Sequence, residues 1–360
     1  MRIVQIIDSL EAGGAERMAV NYANSLANKI DFSGIVVTRS EGLLLHKINS
    51  NVDYFFLNKS KTIDFKALLK LRSYIKRNKI EIVHAHSTSF FLAFLLKLII
   101  PKVKLIWHDH YGDSEFLAER PIMALKFTIP FFYGIISVNQ KLKVWSKQKL
   151  KFENVIYLHN FPCFEDEQLE TTILAGEDGK RIVCLANLRP QKNHFLLLNV
   201  AKKLNKMEPN WTFHLVGKDF EDEYSLKIKA KIFDFQLQNH VFLYNSKSDI
   251  KNILGQANIA VLTSQSEGLP VAILEYGLNF KAVISTSVGE IQDIICNGEN
   301  GFLIANDNIS EFYDALNILI QNPKLITTFG ENLNATIRSK FNSEIIVKTY
   351  LDWLKKSTNA

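Results

Sequence analysis

Short apolar runs rich in β-branched residues alternate with segments of helical period along the first part of the chain. The runs that are candidates for strands are "RIVQII", "GIVVT", "VDYFFL", "EIVHAH", "VKLIW", "GIISV" and "NVIYL". They are nearly continuous in apolar residues, which is typical of parallel strands covered on both faces of a sheet. The segments between them predict helices, one of which starts at Asp64 with a stripe made of Phe65, Leu68, Leu69, Arg72 and Ile75.

The same alternation restarts after an acidic stretch, with "RIVCLA", "WTFHLVG", "HVFLY", "NIAVLT", "AVIST" and "GFLI". We therefore predict an α/β protein with two doubly wound domains, residues 1–160 and 180–338, joined by a linker at 161–179. A helical stripe in residues 339–360 predicts a C-terminal helix that packs back on the first domain. Sheets of this kind bind ligands at the carboxyl ends of their strands, so a cleft between the domains is the expected site.

Composition is that of a globular chain, with 47% hydrophobic and 22% charged residues. Its three cysteines form no CxxC pair, which argues against a disulfide framework or a zinc ribbon and favours a reducing cytosol. The N-terminus enters a strand without a signal-peptide cleavage site, so we expect no export. The longest apolar helix, at 90–101, is broken by Lys97 and is shorter than the roughly 17 to 25 residues of a membrane span.

Positive charge is concentrated in the first domain, where residues 1–160 hold 23 Lys and Arg against 13 Asp and Glu. Such a surplus suits an anionic membrane surface or an anionic substrate, although a merely solvated basic face would look the same. No nucleic-acid reader motif accompanies the basic runs, so no nucleic-acid partner is expected. We predict a cytoplasmic protein that associates peripherally with the inner face of the cell membrane.

Two acids, Glu267 and Glu275, stand eight positions apart in "SEGLPVAILEYG", which otherwise has the pattern of a buried segment. Ionised carboxylates are costly to bury without partners, so this stretch calls for a ligand or a counter-ion. A strand ends before it, and Pro270 suits the first turn of the following helix. The backbone amides of Gly268 and Leu269 near that helix start then form a candidate phosphate site.

Two further loops carry chemistry suited to a diphosphate. Gly13 and Gly14, in "GGAER", follow the first strand and would let backbone amides approach a phosphate closely, although they could also form only a tight turn. Arg189 and Lys192, in "LRPQKN", would neutralise a diphosphate leaving group, although they could also be ordinary surface cations.

The histidines His84, His86, His108 and His110 form two HxH pairs at the ends of predicted strands, where side chains two residues apart share one face. Together with Asp113 they allow a metal site. The alternative is that they are structural, hydrogen-bonded residues, which is the commoner fate of a single histidine.

These elements together resemble the retaining glycosyltransferases of family 4, which have the GT-B fold of two Rossmann-like domains. The acids at 267 and 275 match the E-x7-E pattern of that family, and the likeness extends over nearly the whole chain. The other similar stretches are "GGAER" at 13–17, "EIVHAHS" from residue 81, "HDHYG" from residue 108, "LRPQKN" at 188–193 and "SVGEIQDIICNGENGFLI" at 287–304.

The resemblance implies transfer of a hexose from a nucleoside diphosphate sugar to an acceptor hydroxyl, with the anomeric configuration retained and without a bound metal or other cofactor. Glu275 would hold the ribose hydroxyls of the donor and Glu267 those of the transferred sugar. His110 aligns with the active-site histidine of the family, which contacts the sugar near its reactive carbon, and His108 is the alternative for a misalignment of two residues.

The remaining family positions concern the leaving group. The resemblance assigns Arg189, Lys192 and the amides near Gly268 to the departing diphosphate, where charge develops in the transition state. The chain departs from the family at Asn187, where an arginine is common, and Arg189 is the candidate to replace it.

The family context implies bacterial surface polysaccharide or glycolipid assembly, with a saccharide or lipid-linked saccharide as acceptor. Two other functions fit the same fold: a nucleotide-sugar epimerase, and a catalytically silent sugar-nucleotide-binding subunit.

Overall fold

The computed structural model describes residues 1–162 and 171–356 and divides the chain into two compact units. Unit 1 comprises Met1–Phe161 and Ser343–Ala360, and unit 2 comprises Pro162–Asn342. The predicted linker lies partly outside the described residues. Its later part, from Thr171, belongs to unit 2.

Unit 1 contains a seven-stranded parallel sheet with the strand order β3-β2-β1-β4-β5-β6-β7. Its strands are β1 (Arg2–Ser9), β2 (Phe32–Ser40), β3 (Asp53–Phe56), β4 (Ile82–His86), β5 (Lys104–Asp109), β6 (Gly134–Ser137) and β7 (Val155–Tyr157). Its first helices are α1 (Gly14–Ala27), α2 (Phe65–Arg77), α3 (Phe90–Ile99), α4 (Met123–Thr128) and α5 (Gln140–Lys149). Each apolar run of the first half forms a strand, which confirms the doubly wound prediction.

Unit 2 contains a six-stranded parallel sheet with the order β10-β9-β8-β11-β12-β13. Its strands are β8 (Arg181–Leu185), β9 (Thr212–Val216), β10 (Val241–Tyr244), β11 (Ile259–Leu262), β12 (Ala282–Thr286) and β13 (Phe302–Ile304). Its helices are α6 (His194–Met207), α7 (Glu223–Asp234), α8 (Ile250–Gln256), α9 (Val271–Leu278), α10 (Ile309–Gln321) and α11 (Pro323–Lys340). The chain then returns to unit 1 as α12 (Ser343–Lys356).

The two faces of the unit 1 sheet differ in polarity. Along β1, Val4 and Ile6 belong to the core cluster shared with α2 and α3, whereas Ile7 belongs to the cluster shared with α1. Alternation along the strand therefore places Gln5 on the α1 side of the sheet. On that side Tyr22 of α1 and Tyr350 of α12 are fully buried with their rings in contact, their centroids 5.3 Å apart. The C-terminal helix thus packs on α1.

Helix α2 begins at Phe65 as its sequence suggests, because the Asp64 side chain caps it by accepting a hydrogen bond from the amide of Ala67. The predicted apolar stripe is partly wrong. The buried residues of the helix are Ala67, Leu68, Leu71, Tyr74 and Ile75, whereas Phe65 and Leu69 are 74% and 58% exposed. A neighbouring stripe of the helix packs against the sheet instead. Both stripes contain apolar residues, so the sequence of the helix alone does not determine which one is buried; contacts with residues distant in sequence do.

Residues 171–179, predicted as part of the linker, belong to unit 2. The carboxylate of Asp249 accepts hydrogen bonds from the backbone amides of Thr171 and Thr172, at 3.0 and 2.8 Å, and Leu174 is buried in the core. At the other end, α11 continues to Lys340, past the predicted boundary after residue 338. No helix among the described residues is long and apolar enough to cross a membrane.

Candidate functional site

Glu267 lies in the loop between β11 and α9 and is almost completely buried. Its Oε1 receives a charged hydrogen bond from Lys192 Nζ, at 2.5 Å, and a second from Ser264 Oγ, at 2.6 Å. A buried carboxylate is stable when a counter-ion and hydrogen-bond donors satisfy it. Lys192, which is distant in sequence, and Ser264, three residues away, therefore provide the partners that Glu267 needs.

Glu275 is the fifth residue of α9 and is half-buried. The neighbouring Tyr276 is fully buried and fixes the helix, because its hydroxyl accepts a hydrogen bond from Leu185 N, at 2.6 Å, and donates one to Val261 O, at 3.2 Å. These contacts attach α9 to the ends of two central strands, β8 and β11. They fix where Glu275 projects relative to the sheet.

Helix α9 begins at Val271, so Pro270 is its N-cap residue and lies just before the first turn in which the sequence places it. No side chain caps this N-terminus, which leaves first-turn amides as donors that an anion can satisfy. The preceding loop packs tightly: Glu290 N donates to Gly268 O, at 3.1 Å, and a Cβ on Gly289, whose φ is 58°, would lie 2.3 Å from Glu267 O. Only glycine fits at that position without moving the loop.

The basic loop follows β8. Lys192 lies in a short helical turn, and its carbonyl oxygen accepts a hydrogen bond from Thr263 Oγ1, at 3.0 Å, which ties the loop to the end of β11. Arg189 is exposed, with its guanidinium 4.6 Å from the centroid of the Phe220 ring. Asn187 uses its side-chain oxygen to accept a hydrogen bond from Lys218 N, at 2.8 Å. Asn187 thus connects two loops, and the arginine nearest to it in the sequence is Arg189, two residues later.

In unit 1, Gly13 is the N-cap of α1 and Gly14 is the first residue of the helix, in the connection that follows the end of β1 at Ser9. Gly13 N donates to Glu11 O, at 2.8 Å, which closes a tight turn. A Cβ on Gly13 would lie 2.2 Å from the carboxylate of Glu16, a flexible side chain. The turn is compact as expected, and the diphosphate role of these glycines stays a prediction.

The four histidines converge at the ends of β4 and β5, where His86 is paired in register with His108. His84 Nε2 lies 3.2 Å from His108 Nδ1, and His86 Nδ1 lies 3.0 Å from His110 Nε2. His84, His86 and His108 are fully buried, and burial holds the pKa of each well below its usual value of 6.5. His110 is half-buried beyond the end of β5, and burial lowers its pKa to about 3. Of the two candidates for the active-site histidine, His110 is the one that has solvent-accessible surface.

His84, His86 and His108 also place one ring nitrogen each within 4.8 Å of the others, a geometry that could hold a metal ion. Asp113 is not part of this group. Among the described residues His84 Nδ1 and His108 Nε2 are buried without a hydrogen-bond partner. Both ring nitrogens of His86 are engaged, so a metal ion bound by all three residues would have to replace one hydrogen bond of His86. The expectation of a metal-independent enzyme stays a prediction.

Sequence reasoning overlooked two residues that support this region. Gln5 contacts His86, with Oε1 2.9 Å from Nε2. Arg120 makes a bidentate pair with Asp109, both bonds being 2.7 Å, and its guanidinium lies 4.3 Å from the centroid of Tyr111. The pair fixes the chain on both sides of His110. A glutamine in the middle of an apolar strand was the available signal for Gln5, whereas nothing local marked Arg120.

Two doubly wound Rossmann-like units, each with polar side chains at the carboxyl ends of its strands, define the GT-B fold. The crystal structure of Anabaena HepE in complex with UDP and glucose has this fold and matches with a TM-score of 0.81, 17% identity and coverage of 99% of both chains. The family model "Glycosyltransferase Family 4" matches residues 12–161, and the model "Glycosyl transferases group 1" matches residues 166–335. The chain belongs to the group 1, family 4 type of glycosyltransferases.

Two relatives of known sequence match most of the chain. An uncharacterized glycosyltransferase of Haemophilus influenzae is 28% identical over 324 residues, which cover 87% of this chain and 88% of the relative. The UDP-Gal:alpha-D-GlcNAc-diphosphoundecaprenol alpha-1,3-galactosyltransferase of Escherichia coli is 24% identical, with 91% and 90% covered. The chain is therefore a glycosyltransferase, and its relatives include an enzyme that acts on a lipid-linked saccharide.

Proposed function

We propose that the protein transfers a hexose from a nucleoside diphosphate sugar to the hydroxyl of a saccharide or lipid-linked saccharide, with retention of the anomeric configuration. The observation that carries this proposal is the buried Glu267, held by Lys192 and Ser264 beside the uncapped start of α9. A carboxylate suited to sugar hydroxyls and donors suited to a diphosphate meet there at one strand edge. The biological setting that we propose is the assembly of a bacterial surface polysaccharide or glycolipid.

In this proposal the donor occupies unit 2 from ribose to sugar. Glu275 accepts hydrogen bonds from the ribose hydroxyls, and the amides of Gly268 and Leu269 face the diphosphate. Glu267 accepts hydrogen bonds from the transferred sugar. Neither acid is placed as a nucleophile, because the proposed role of both is to bind hydroxyls.

Lys192 has the central electrostatic role. Its charge neutralises Glu267, and a diphosphate bound beside it offers a second anionic partner. Arg189, which is exposed and stacked on Phe220, adds a second cation that can reach a ligand from solvent. As the sugar leaves, negative charge grows on the diphosphate, where fixed cations stabilise it most strongly in a site from which water is excluded. His110, together with the turn at Gly13 and Gly14, is the contribution that we propose from unit 1.

Two experiments test this function. Thermal shift with UDP, GDP, ADP and their sugars identifies the donor, because a ligand that binds the native state raises the apparent stability. UDP is the first to try, since the E. coli relative and the HepE structure are both named with it. Incubation of the stabilising donor with and without a lipid-linked saccharide then separates the functions. Transfer requires the acceptor, an epimerase forms product without it, and a silent subunit binds the donor and releases no nucleoside diphosphate.

We also propose that unit 1 rests on an anionic membrane surface on the cytoplasmic side. Met123, Phe127 and Phe131 are 81%, 68% and 42% exposed, and their spacing of four residues places them on one face of α4 and the turn after it. The ring of the buried Phe94 supports Phe127 and Phe131, with centroids 5.6 and 5.0 Å away. The exposed Lys126 lies beside this stripe. Exposed aromatic rings with adjacent cations suit insertion into an anionic lipid interface.

A further inference from the structure

Gln5 is a fully buried amide in the middle of β1. It pairs in register with His84 of β4, and its Oε1 lies 2.9 Å from Nε2 of His86. A buried amide is costly unless it is hydrogen-bonded, and an apolar residue would suit this strand better. The contact with His86 therefore explains why a glutamine occupies this position of the strand.

His86 uses both of its ring nitrogens. Nε2 faces Gln5, and Nδ1 lies 3.0 Å from Nε2 of His110. Burial keeps the pKa of His86 well below 6.5 and lowers that of His110 to about 3, so both rings are neutral at pH 7. A neutral imidazole has one N–H and one lone pair, so His86 must donate one of its two hydrogen bonds and accept the other.

The side-chain carbonyl of Gln5 determines which nitrogen of His86 donates and which accepts. Because Oε1 can only accept, the N–H of His86 is on Nε2, and Nδ1 of His86 accepts from the N–H of His110 Nε2. The proton of His110 is then on Nε2, and its remaining nitrogen, Nδ1, has a lone pair. We propose that Gln5 is a positioning residue, which fixes the tautomer of His110 through His86 so that His110 offers Nδ1 as an acceptor to a hydroxyl of the donor sugar. The last step rests on the proposed function, whereas the tautomer does not.

The amide and the two imidazoles behave as one unit. If the amide turned round, its Nε2 would donate to His86, and His110 would instead present a protonated Nδ1. In the described part of the chain the Nε2 of Gln5 is buried without a hydrogen-bond partner, so His86 is the group that the amide orientation is coupled to. The tautomer of His110 therefore reports the orientation of Gln5 directly.

Nitrogen-15 NMR of histidine-labelled protein measures the tautomer without any substrate. We expect the wild type at pH 7.5 to show His110, assigned by its absence in His110→Gln, with the proton on Nε2. In Gln5→Met, which has a similar length and only a weakly accepting sulfur in place of the amide oxygen, we expect a mixture of tautomers at His110. A wild-type His110 protonated on Nδ1, or a tautomer unchanged in Gln5→Met, would overturn the proposal.

Kinetics give a second readout, with Ile6→Val as the matched control. Ile6 is the next residue of β1, is equally buried, and points to the other face of the sheet, so this variant loosens the strand without touching the histidines. We expect Gln5→Met to lower kcat roughly threefold to tenfold, the change that loss of one hydrogen bond produces, with unchanged affinity for UDP. Ile6→Val should keep the wild-type kcat per folded molecule, and an equal loss of kcat in both variants would mean that Gln5 acts only through stability.

Failure of the proposed function gives a different pattern. A wild type that binds no nucleoside diphosphate and transfers no sugar contradicts that function, yet its His110 tautomer and the response to Gln5→Met remain measurable. A protein that transfers sugar with a tautomer independent of Gln5 contradicts the present inference alone.

Discussion

The two units build polar sites on the same kind of scaffold, but one site is made of neutral groups and the other contains an ion pair. Unit 1 gathers neutral imidazoles: His84, His86 and His108 are fully buried and hydrogen-bonded to one another, to His110 and to Gln5. Unit 2 instead contains a partly buried ion pair, Lys192 with Glu267. The carboxyl edge of a parallel sheet therefore fixes where a site lies, and the side chains that neighbouring loops bring there determine which charge it accepts.

This difference in charge agrees with the different roles that we propose for the two units. A fixed cation beside an uncapped helix start suits the anionic diphosphate, whereas uncharged hydrogen-bonding groups suit the hydroxyls of a sugar. The two units should also respond to different perturbations. The ion pair of unit 2 should be sensitive to substitution of either partner, and the neutral histidine cluster of unit 1 should be sensitive to acid.

Removal of the cation in unit 2 should have the largest effect. We expect Lys192→Met to lower turnover by about 10²-fold or more, because the leaving group loses a fixed charge. The same change should lower the free energy of unfolding by about 3 kcal/mol, because Glu267 is left buried with an unpaired charge. Activity assays and chemical denaturation measure the two effects.

A double variant separates them. Lys192→Met combined with Glu267→Gln should regain most of the lost stability, since no buried charge remains, and none of the lost turnover. Lys180→Met is the control, because Lys180 pairs with Glu177 at the surface, where ion pairs contribute about 0 to 1 kcal/mol. Turnover and stability in Lys192→Met equal to those of the control would refute the role of the pair.

Acid should affect unit 1 before unit 2. Burial and neighbouring imidazoles depress the pKa of His84, His86 and His108 in the folded state, so below pH 6.5 the unfolded chain binds more protons. The stabilisation is complete above pH 6.5 and declines as pH falls, by up to about 2 kcal/mol per histidine at pH 5. In unit 2, burial lowers the pKa of two histidines, His194 and His214, each to about 4, so fewer histidines lose stabilising free energy there as the pH falls.

Tryptophan fluorescence can follow this order, because Trp107, Trp145 and Trp353 lie in unit 1 and Trp211 in unit 2. In Trp211→Phe all tryptophan fluorescence comes from unit 1. In a second variant, with the three tryptophans of unit 1 replaced by Phe, it comes from Trp211 in unit 2. As the pH is lowered, the fluorescence of the first variant should change at a higher pH than that of the second. Simultaneous transitions at every pH would contradict the contrast.

Membrane association should distinguish the surfaces of the units. We expect Phe127→Ser to weaken binding to phosphatidylglycerol vesicles by about tenfold to 100-fold, because insertion of one aromatic ring contributes roughly 1.5 to 3 kcal/mol. Phe233→Ser is the matched control, since Phe233 on α7 of unit 2 is 70% exposed, close to the 68% of Phe127. Binding should also weaken as salt rises, because lysines contribute to it. Equal recovery with neutral and anionic vesicles, or equal effects of the two substitutions, would refute the membrane surface.

The smallest expected effect is that of metal removal. Turnover should be unchanged in EDTA and after addition of Mg²⁺, Mn²⁺ or Zn²⁺, since the proposed transition state is stabilised by Lys192 and Arg189. Loss of turnover in chelator that one divalent ion restores would instead assign a metal to His84, His86 and His108.

The elements and the region of the site were predictable from the sequence, because strand periodicity and the loop around Glu267 are local signals. The contacts that the site residues make with distant residues were not predictable. Lys192 is 75 positions from Glu267, and Gln5 is 81 positions from His86, so their contacts depend on the order in which the strands assemble. Residues 171–179 resemble a linker in composition, yet the buried Asp249 satisfies the amides of Thr171 and Thr172 and holds the segment in unit 2.

Calorimetric titration of Glu267→Gln and Glu275→Gln tests the central claim most directly. The ligands are the nucleoside diphosphate and the sugar nucleotide that the thermal-shift panel selects. Glu275→Gln should weaken both ligands, because both contain the ribose, and each charged hydrogen bond contributes about 1.5 to 3 kcal/mol. Glu267→Gln should leave the free nucleoside diphosphate unaffected and weaken only the intact donor. Wild-type affinities for both ligands in both variants, with thermal stability alone reduced, would show that the two acids only brace the fold.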